Sequence, residues 1–193
     1  LFKNAEAIEV LRSVDTLVVD KTGTLTLGKP VLAAVVPMPG WSEAEVLRVA
    51  AALERGSEHP LAAAIVAGAA SRGLQPGSAE AFQSRSGKGG RGRVDSPAAA
   101  LGNLRLLEEL GVQAGDAAAR AEEMRREGQT AILLFVAARV AGVVAFAEPT
   151  KETTPDAITQ LHAEGLRIVM LTGDSRTTAE AVARRLSIDE VIA

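Results

Sequence analysis

The 193-residue chain is 47% hydrophobic and 23% charged, enough apolar material for one large or two small packed domains and too much for a disordered tail. Its 21 Lys and Arg stand against 24 Asp and Glu, a net charge of −3 with both signs spread along the chain, which leaves no general case for nucleic acid or an anionic membrane surface as partner. With no Cys there is neither a disulfide framework nor a thiolate metal site, as suits a reducing compartment.

The chain opens Leu1-Phe2-Lys3-Asn4, without Met, basic n-region, apolar h-region or cleavage site, and is expected to be a piece of a longer polypeptide. Residues 5–13 have helical spacing, and Val14 to Asp20 is a short β-branched strand that delivers Asp20 to its tip. Residues 21–30 are a glycine-containing loop, followed by a strand over 31–36. Ser42 with Glu45 three residues later is a capping box opening a helix to about Arg55, and Pro60 opens a second helix ending near Gly73. Residues 77–97 turn to Gly, Ser and Arg, which predicts short strands around a glycine loop. Helices are expected over 103–110 and 116–127, then a hairpin of 130–136 and 140–146 joined at Ala137-Ala138-Arg139. The rest alternates: a helix from Pro155 to about Glu164, a strand over 167–171, a helix over 175–185 and a last strand over 190–193.

The longest apolar run, Ala131 to Ala147, carries Arg139 near its middle and falls short of the about 20 uncharged residues of a membrane-spanning helix. Two strands explain it better. The βα alternation at both ends and the mixed middle predict an α/β fold in which residues 1–27 and 147–193 form a parallel-sheet domain. An antiparallel α+β domain over 28–146 interrupts it.

Asp20-Lys21-Thr22-Gly23-Thr24-Leu25-Thr26 is the strongest chemical signal. Ligands of open α/β sheets lie outside the carboxyl ends of the strands, where Asp20 stands. An ionised Asp there can attack phosphorus, Lys21 can offset developing charge, and Gly23 lets backbone amides approach phosphate oxygens. The same residues also make an ordinary Asp-Lys turn with Thr caps. Leu171-Thr172-Gly173-Asp174 again ends a strand in a hydroxyl, a glycine and a carboxylate; Asp174 either positions a hydrated Mg²⁺ or caps the following helix.

The two segments together resemble the P-type ATPases, on a haloacid-dehalogenase-like phosphorylation domain. The resemblance implies ATP and Mg²⁺ as cofactors. It makes Asp20 the acceptor of the γ-phosphate, gives Lys21 and Thr24 phosphoryl contacts, and has Thr172, Gly173 and Asp174 support phosphate and Mg²⁺. Asp20 and the backbone carbonyl of Thr22 are implied Mg²⁺ ligands. Related phosphatases carry an acid two residues after the nucleophile to protonate an alcohol leaving group; Thr22 cannot do so, whereas ADP leaves as a stable anion. That favours a pump over a phosphatase.

Ser57-Glu58-His59-Pro60-Leu61 is either a structural turn before a helix or, by its similarity to the Ser-Glu-His-Pro-Leu motif of heavy-metal P-type ATPases, part of an ATP site in which Glu58 and His59 take part. Gly87-Lys88-Gly89-Gly90-Arg91-Gly92 satisfies G-x-G-x-x-G, but no helix follows, so a dinucleotide fold is excluded and a flexible hairpin tip remains. In the heavy-metal subclass a Gly-x-Gly loop and a later Gly-Asn line the nucleotide site; these match Gly87, Gly89, Gly102 and Asn103. Glu148-Pro149-Thr150-Lys151 stands where the family has Asp-Pro-x-Lys, with Lys151 facing the phosphorylation site or decorating a solvated hinge. His162 reads as a surface residue.

The family continues to a Lys and a Gly-Asp-Gly-x-Asn-Asp segment, neither of which follows Asp174 here. The Asp20 strand is therefore expected to be an apolar sheet edge open to self-association. The expected function is the ATP-binding and aspartyl-phosphorylation region of a copper(I)-exporting pump, on the cytoplasmic face of a membrane, with the pump's transmembrane and actuator domains as partners. A soluble haloacid-dehalogenase-type phosphatase and a non-catalytic nucleotide-binding module are the alternatives.

Overall fold

A computed structural model describes residues 12–193; the helix expected over 5–13 lies outside the described residues except for its last two positions, which form a turn. The chain divides into two compact units, one running up to Gly28 and resuming over Thr150–Ala193, the other spanning Lys29–Pro149.

The first unit holds strands β1 (Thr16–Asp20), β8 (Arg167–Leu171) and β9 (Glu190–Ile192), with helices α5 (Thr154–Ala163) and α6 (Arg176–Leu186). The strands form one parallel sheet in the order β1-β8-β9, with Asp20 opposite Leu171. Alternation along β8 sends Ile168 and Met170 to the face covered by Ile158 of α5 and by Ala179, Val182 and Leu186 of α6. Val18, Leu171 and Ile192 point the other way and are exposed. His162, expected as a plain surface residue, is half-buried: its Nε2 lies 2.9 Å from Asp189 Oδ2, and that oxygen also accepts from the Ile168 amide at 2.7 Å. The bond ties the end of α5 to the connection entering β9.

The second unit is a six-stranded antiparallel sheet in the order β2-β7-β6-β5-β4-β3. Its strands are β2 (Val31–Pro37), β3 (Ala79–Arg85), β4 (Gly89–Val94), β5 (Ala98–Gly102), β6 (Thr130–Val136) and β7 (Arg139–Ala147), the last running past residue 146. Helices α1 (Glu43–Glu54) and α2 (Pro60–Ser71) cover one face, while α3 (Leu104–Leu110) and α4 (Asp116–Arg126) cover the other. In β6, Leu134 and Val136 face α1 and α2, while Leu133 and Phe135 face α3 and α4. A strand covered on both faces reads as an unbroken apolar run, which is why Ala131 to Ala147 carries so little polar residue. Among the described residues no helix is long and apolar enough to cross a membrane.

Local rules act as expected at the helix starts. Ser42 Oγ accepts from the Glu45 amide at 3.2 Å while Glu45 Oε2 accepts from the Ser42 amide at 2.8 Å, the reciprocal capping box. One strand was not anticipated. Ala98–Gly102 is composed of Ala, Leu and Gly, poor strand formers, yet β5 pairs β4 on one side and β6 on the other. Two partners supply the backbone hydrogen bonds that local composition does not predict.

Candidate functional site

In the first unit Asp20 ends β1 at an exposed position, and the chain then turns tightly. Gly23 has φ +77°, which an L side chain adopts poorly, and the turn closes on the Lys21 carbonyl, which accepts from the Thr26 amide at 3.2 Å and the Thr26 hydroxyl at 3.1 Å. The returning chain holds this loop from outside. Lys151 Nζ donates to the Gly23 carbonyl at 2.6 Å, and the Leu25 carbonyl accepts from the Lys151 amide at 3.1 Å and the Thr154 hydroxyl at 2.8 Å.

The tips of β1 and β8 meet through charge. Lys21 Nζ lies 2.5 Å from Asp174 Oδ2, with side-chain exposures of 5% and 16%. Thr172 Oγ1 accepts from the Asp174 amide at 3.2 Å and donates to the same carboxylate at 3.3 Å. Asp174 is not the helix cap; Ser175 is, its Oγ accepting from the Thr178 amide at 3.3 Å. The Asp174 carboxylate is thereby released for Lys21. Gly173 has no atom within 4 Å of where a Cβ would stand, so the space beside this segment is open. Thr22 and Thr24 are exposed on the same loop.

The second unit carries a cleft of about 450 Å³ lined by, among others, Glu54, His59, Phe82, Lys88, Gly102 and Asn103. His59 caps α2, its Nδ1 accepting from the Leu61 amide at 3.2 Å. The hairpin loop between β3 and β4 is pressed against the end of β5. A Cβ on Gly89 would lie 2.0 Å from the Leu101 carbonyl oxygen, and one on Gly102 would lie 2.1 Å from that of Lys88. Only paired glycines permit this approach. Asn103 then clips the loop: Nδ2 donates to the Gly87 carbonyl at 2.9 Å while Oδ1 accepts from the Leu106 amide at 3.2 Å.

The haloacid dehalogenase-like hydrolase family model matches residues 14–193. The chain belongs to that family. It is 47% identical over 193 residues to the copper-exporting P-type ATPase of Legionella pneumophila, covering 100% of this chain and 26% of that protein. It is 46% identical over 191 residues to the silver exporting P-type ATPase of Salmonella typhimurium, 99% of this chain and 23% of that one. A solved zinc-transporting PIB-type ATPase in the E2.Pi state superposes with a TM-score of 0.73 at 35% identity, over 98% of this chain and 31% of its own. This haloacid dehalogenase-like chain thus spans about a quarter of the length of the P-type ATPases to which it is similar.

The carboxylate that lines the cleft of this haloacid dehalogenase-like chain is Glu54, whereas Glu58 is exposed and is not among the lining residues. Glu54 is 9% exposed at the last turn of α1, and burial pushes its carboxyl above the usual range of about 4.5, partly offset by the Ser57 hydrogen bond and the field of His59. A signal for it existed in the sequence. Glu54 follows Leu47 and Ala50 on the buried face of α1, and a carboxylate at a helix C-terminus opposes the helix dipole.

The donor set around Asp20 suits a hard cation. Asp20 and the carbonyls of its loop offer oxygen alone. A partial set of oxygens completed by water and phosphate is the usual environment of Mg²⁺.

Proposed function

We propose that this chain is the ATP-binding and aspartyl-phosphorylation region of a heavy-metal cation-translocating P-type ATPase, exporting copper(I) and lying on the cytoplasmic face of a membrane with the pump's transmembrane and actuator domains as partners. The unit up to Gly28 with Thr150–Ala193 is then the phosphorylation domain, and Lys29–Pro149 the nucleotide-binding domain. The carrying observation is the exposed Asp20 carboxylate at the end of β1, with the Lys21–Asp174 pair at the ends of the same two neighbouring strands.

In this proposal an Asp20 carboxylate oxygen attacks the γ-phosphorus of ATP, and the bond to the bridging oxygen breaks with its electron pair leaving on ADP. Water later cleaves the aspartyl phosphate and releases inorganic phosphate. Lys21 is pre-positioned by Asp174, so its charge meets the phosphoryl oxygens without a large side-chain reorganisation. Thr172 holds Asp174, and Lys151 holds the Gly23 carbonyl and with it the loop carrying Thr22 and Thr24. Asp20, Asp174 and the Thr22 carbonyl would hold Mg²⁺, which supplies further positive charge to the phosphates. Thr22 offers no acidic proton, which suits a leaving group that needs none.

In the nucleotide-binding unit the Glu54 carboxylate accepts from the amino group of adenine, His59 lies against the base, and Gly87, Gly89, Gly102 and Asn103 form a backbone wall. Glu54 takes the place expected for Glu58. Copper is favoured over zinc because the copper and silver exporters share 46–47% of this sequence and the zinc-transporting structure 35%. Pairing of two copies along β1 also belongs to the proposal, supported by its edge position and by Val18, 58% exposed.

The deciding experiment is acid-quench trapping of phosphoenzyme from γ-labelled ATP in the full-length parent, with and without Asp20→Asn. Label is expected only with Asp20 intact and is expected to turn over with copper(I) rather than zinc. The 193-residue chain alone is expected to bind ATP in calorimetry while releasing little phosphate; vigorous hydrolysis of small phosphomonoesters by it would establish the phosphatase instead. Unlabelled parent that still binds ATP would identify a non-catalytic module.

A further inference from the structure

Lys88 occupies the middle of the Gly87-Lys88-Gly89 loop and lines the nucleotide cleft together with Arg85. Its ammonium is already taken by the Glu109 carboxylate, which reaches it from α3. Glu109 does not itself line the cleft. The two partners are held in register by main-chain and side-chain bonds, because Asn103 immediately before α3 donates Nδ2 to the Gly87 carbonyl and its amide to the Lys88 carbonyl at 2.9 Å each. Two bonds from Asn103 thus tie the main chain of the loop to the start of α3.

The cleft is chemically two-ended. Glu54 stands beside Gly90, where a Cβ would lie 3.6 Å from its Oε1. Lys88 lies in the turn that precedes β4, two residues ahead of Gly90. One end thus accepts hydrogen bonds from a base; the other presents Arg85 and Lys88 to solvent, suited to phosphate oxygens. Lys88 holds the Glu109 carboxyl below its ordinary range by direct hydrogen bond, with Arg85 and Arg91 adding longer-range field. A single carboxylate there sits among cations that a polyphosphate would satisfy better.

We propose that Lys88 anchors the phosphates of the bound nucleotide and that Glu109, by holding Lys88 when the cleft is empty, competes with those phosphates and sets the affinity. This rests on the nucleotide reading above and extends it to residues outside the glycine wall. A pair in which both side chains are about 40% exposed contributes modestly, so the competition is a tuning effect and not a lock.

Calorimetry on the 193-residue chain with two probes, adenosine and ADP, separates the two ideas. Glu109→Gln is expected to tighten ADP about threefold at low salt and to leave adenosine unchanged, with the gain lost in about 0.5 M salt. Lys88→Gln is expected to weaken ADP by a similar factor, again sparing adenosine, and to abolish any further effect of Glu109→Gln in the double variant. Unchanged or weakened ADP binding in Glu109→Gln, or equal changes for both probes, overturns the Lys88–Glu109 competition while the nucleotide site stands. An unmodified chain that binds neither probe overturns the nucleotide reading and this inference with it.

Discussion

Lys21 and Asp174 meet at 2.5 Å across the tips of two neighbouring parallel strands, and both are largely withdrawn from solvent. A buried pair is weak evidence of net stabilisation, but removing one member strands the other charge. Asp174→Ala is expected to destabilise the unit built on β1, β8 and β9 by about 3–5 kcal/mol. Urea unfolding followed by hydrogen exchange at the β8 amides measures it; a loss confined to activity, with unchanged exchange, would place the pair outside the stability of that unit.

Glu54 predicts a pH dependence of nucleotide binding. Burial, the largest cause, raises its folded carboxyl above the unfolded value of about 4.5, so the folded state holds the proton more tightly. Ionising Glu54 therefore costs folded-state stability as pH rises from the unfolded value through the raised one. In the proposed site the ionised carboxylate is the stronger acceptor for the adenine amino group, so ATP affinity is expected to fall as pH drops through that same window. Glu54→Gln is expected to bind ATP more weakly, with a flatter pH profile and a stability that no longer declines across the window, read by calorimetry and denaturation at matched pH values.

The glycine wall predicts a sharp contrast between neighbours. Gly89→Ala would drive a Cβ into the Leu101 carbonyl, whereas Gly87 at φ +68° has nothing within 4 Å. The first is expected to cost upwards of about 3 kcal/mol and to abolish ATP binding, the second about 1 kcal/mol from left-handed strain alone. Equal losses in thermal denaturation would contradict the close approach of β4 and β5.

The hairpin between β6 and β7 turns through Ala137 and Ala138 at φ +48° and +63°, a pair of left-handed residues without the glycine or asparagine such turns favour. Replacing them with Asn-Gly is expected to stabilise the second unit by about 1 kcal/mol, seen as a higher urea midpoint at unchanged slope.

Asp189 links acid stability to the joint between α5 and β9. The Ile168 amide first, then His162, hold its carboxyl below the usual 3.8. A depressed acid contributes stability above its unfolded value and loses it as pH falls through the folded one. Asp189→Asn is expected to lower stability near neutrality and to remove this acid-dependent loss, as compared by denaturation between about pH 2 and pH 7.

Sequence alone determined the elements whose causes are local: the capping box at Ser42, Pro60 at a helix start, the two-sided apolar run of β6 and β7, and the Asp20 and Thr172-Gly173-Asp174 segments at strand tips. Each follows from residues within a few positions of one another. Tertiary structure alone decided what depends on partners far along the chain. β5 is a strand because two neighbours complete its hydrogen bonds, despite its Ala-rich composition. Asp174 pairs with Lys21 because Ser175 has taken the helix cap. Glu54, and not Glu58, enters the cleft because the phase of α1 turns it inward, and Lys88 meets Glu109 because Asn103 clips the loop to α3. Burial and long-range pairing are properties of packing, and packing assembles residues that one-dimensional spacing leaves apart.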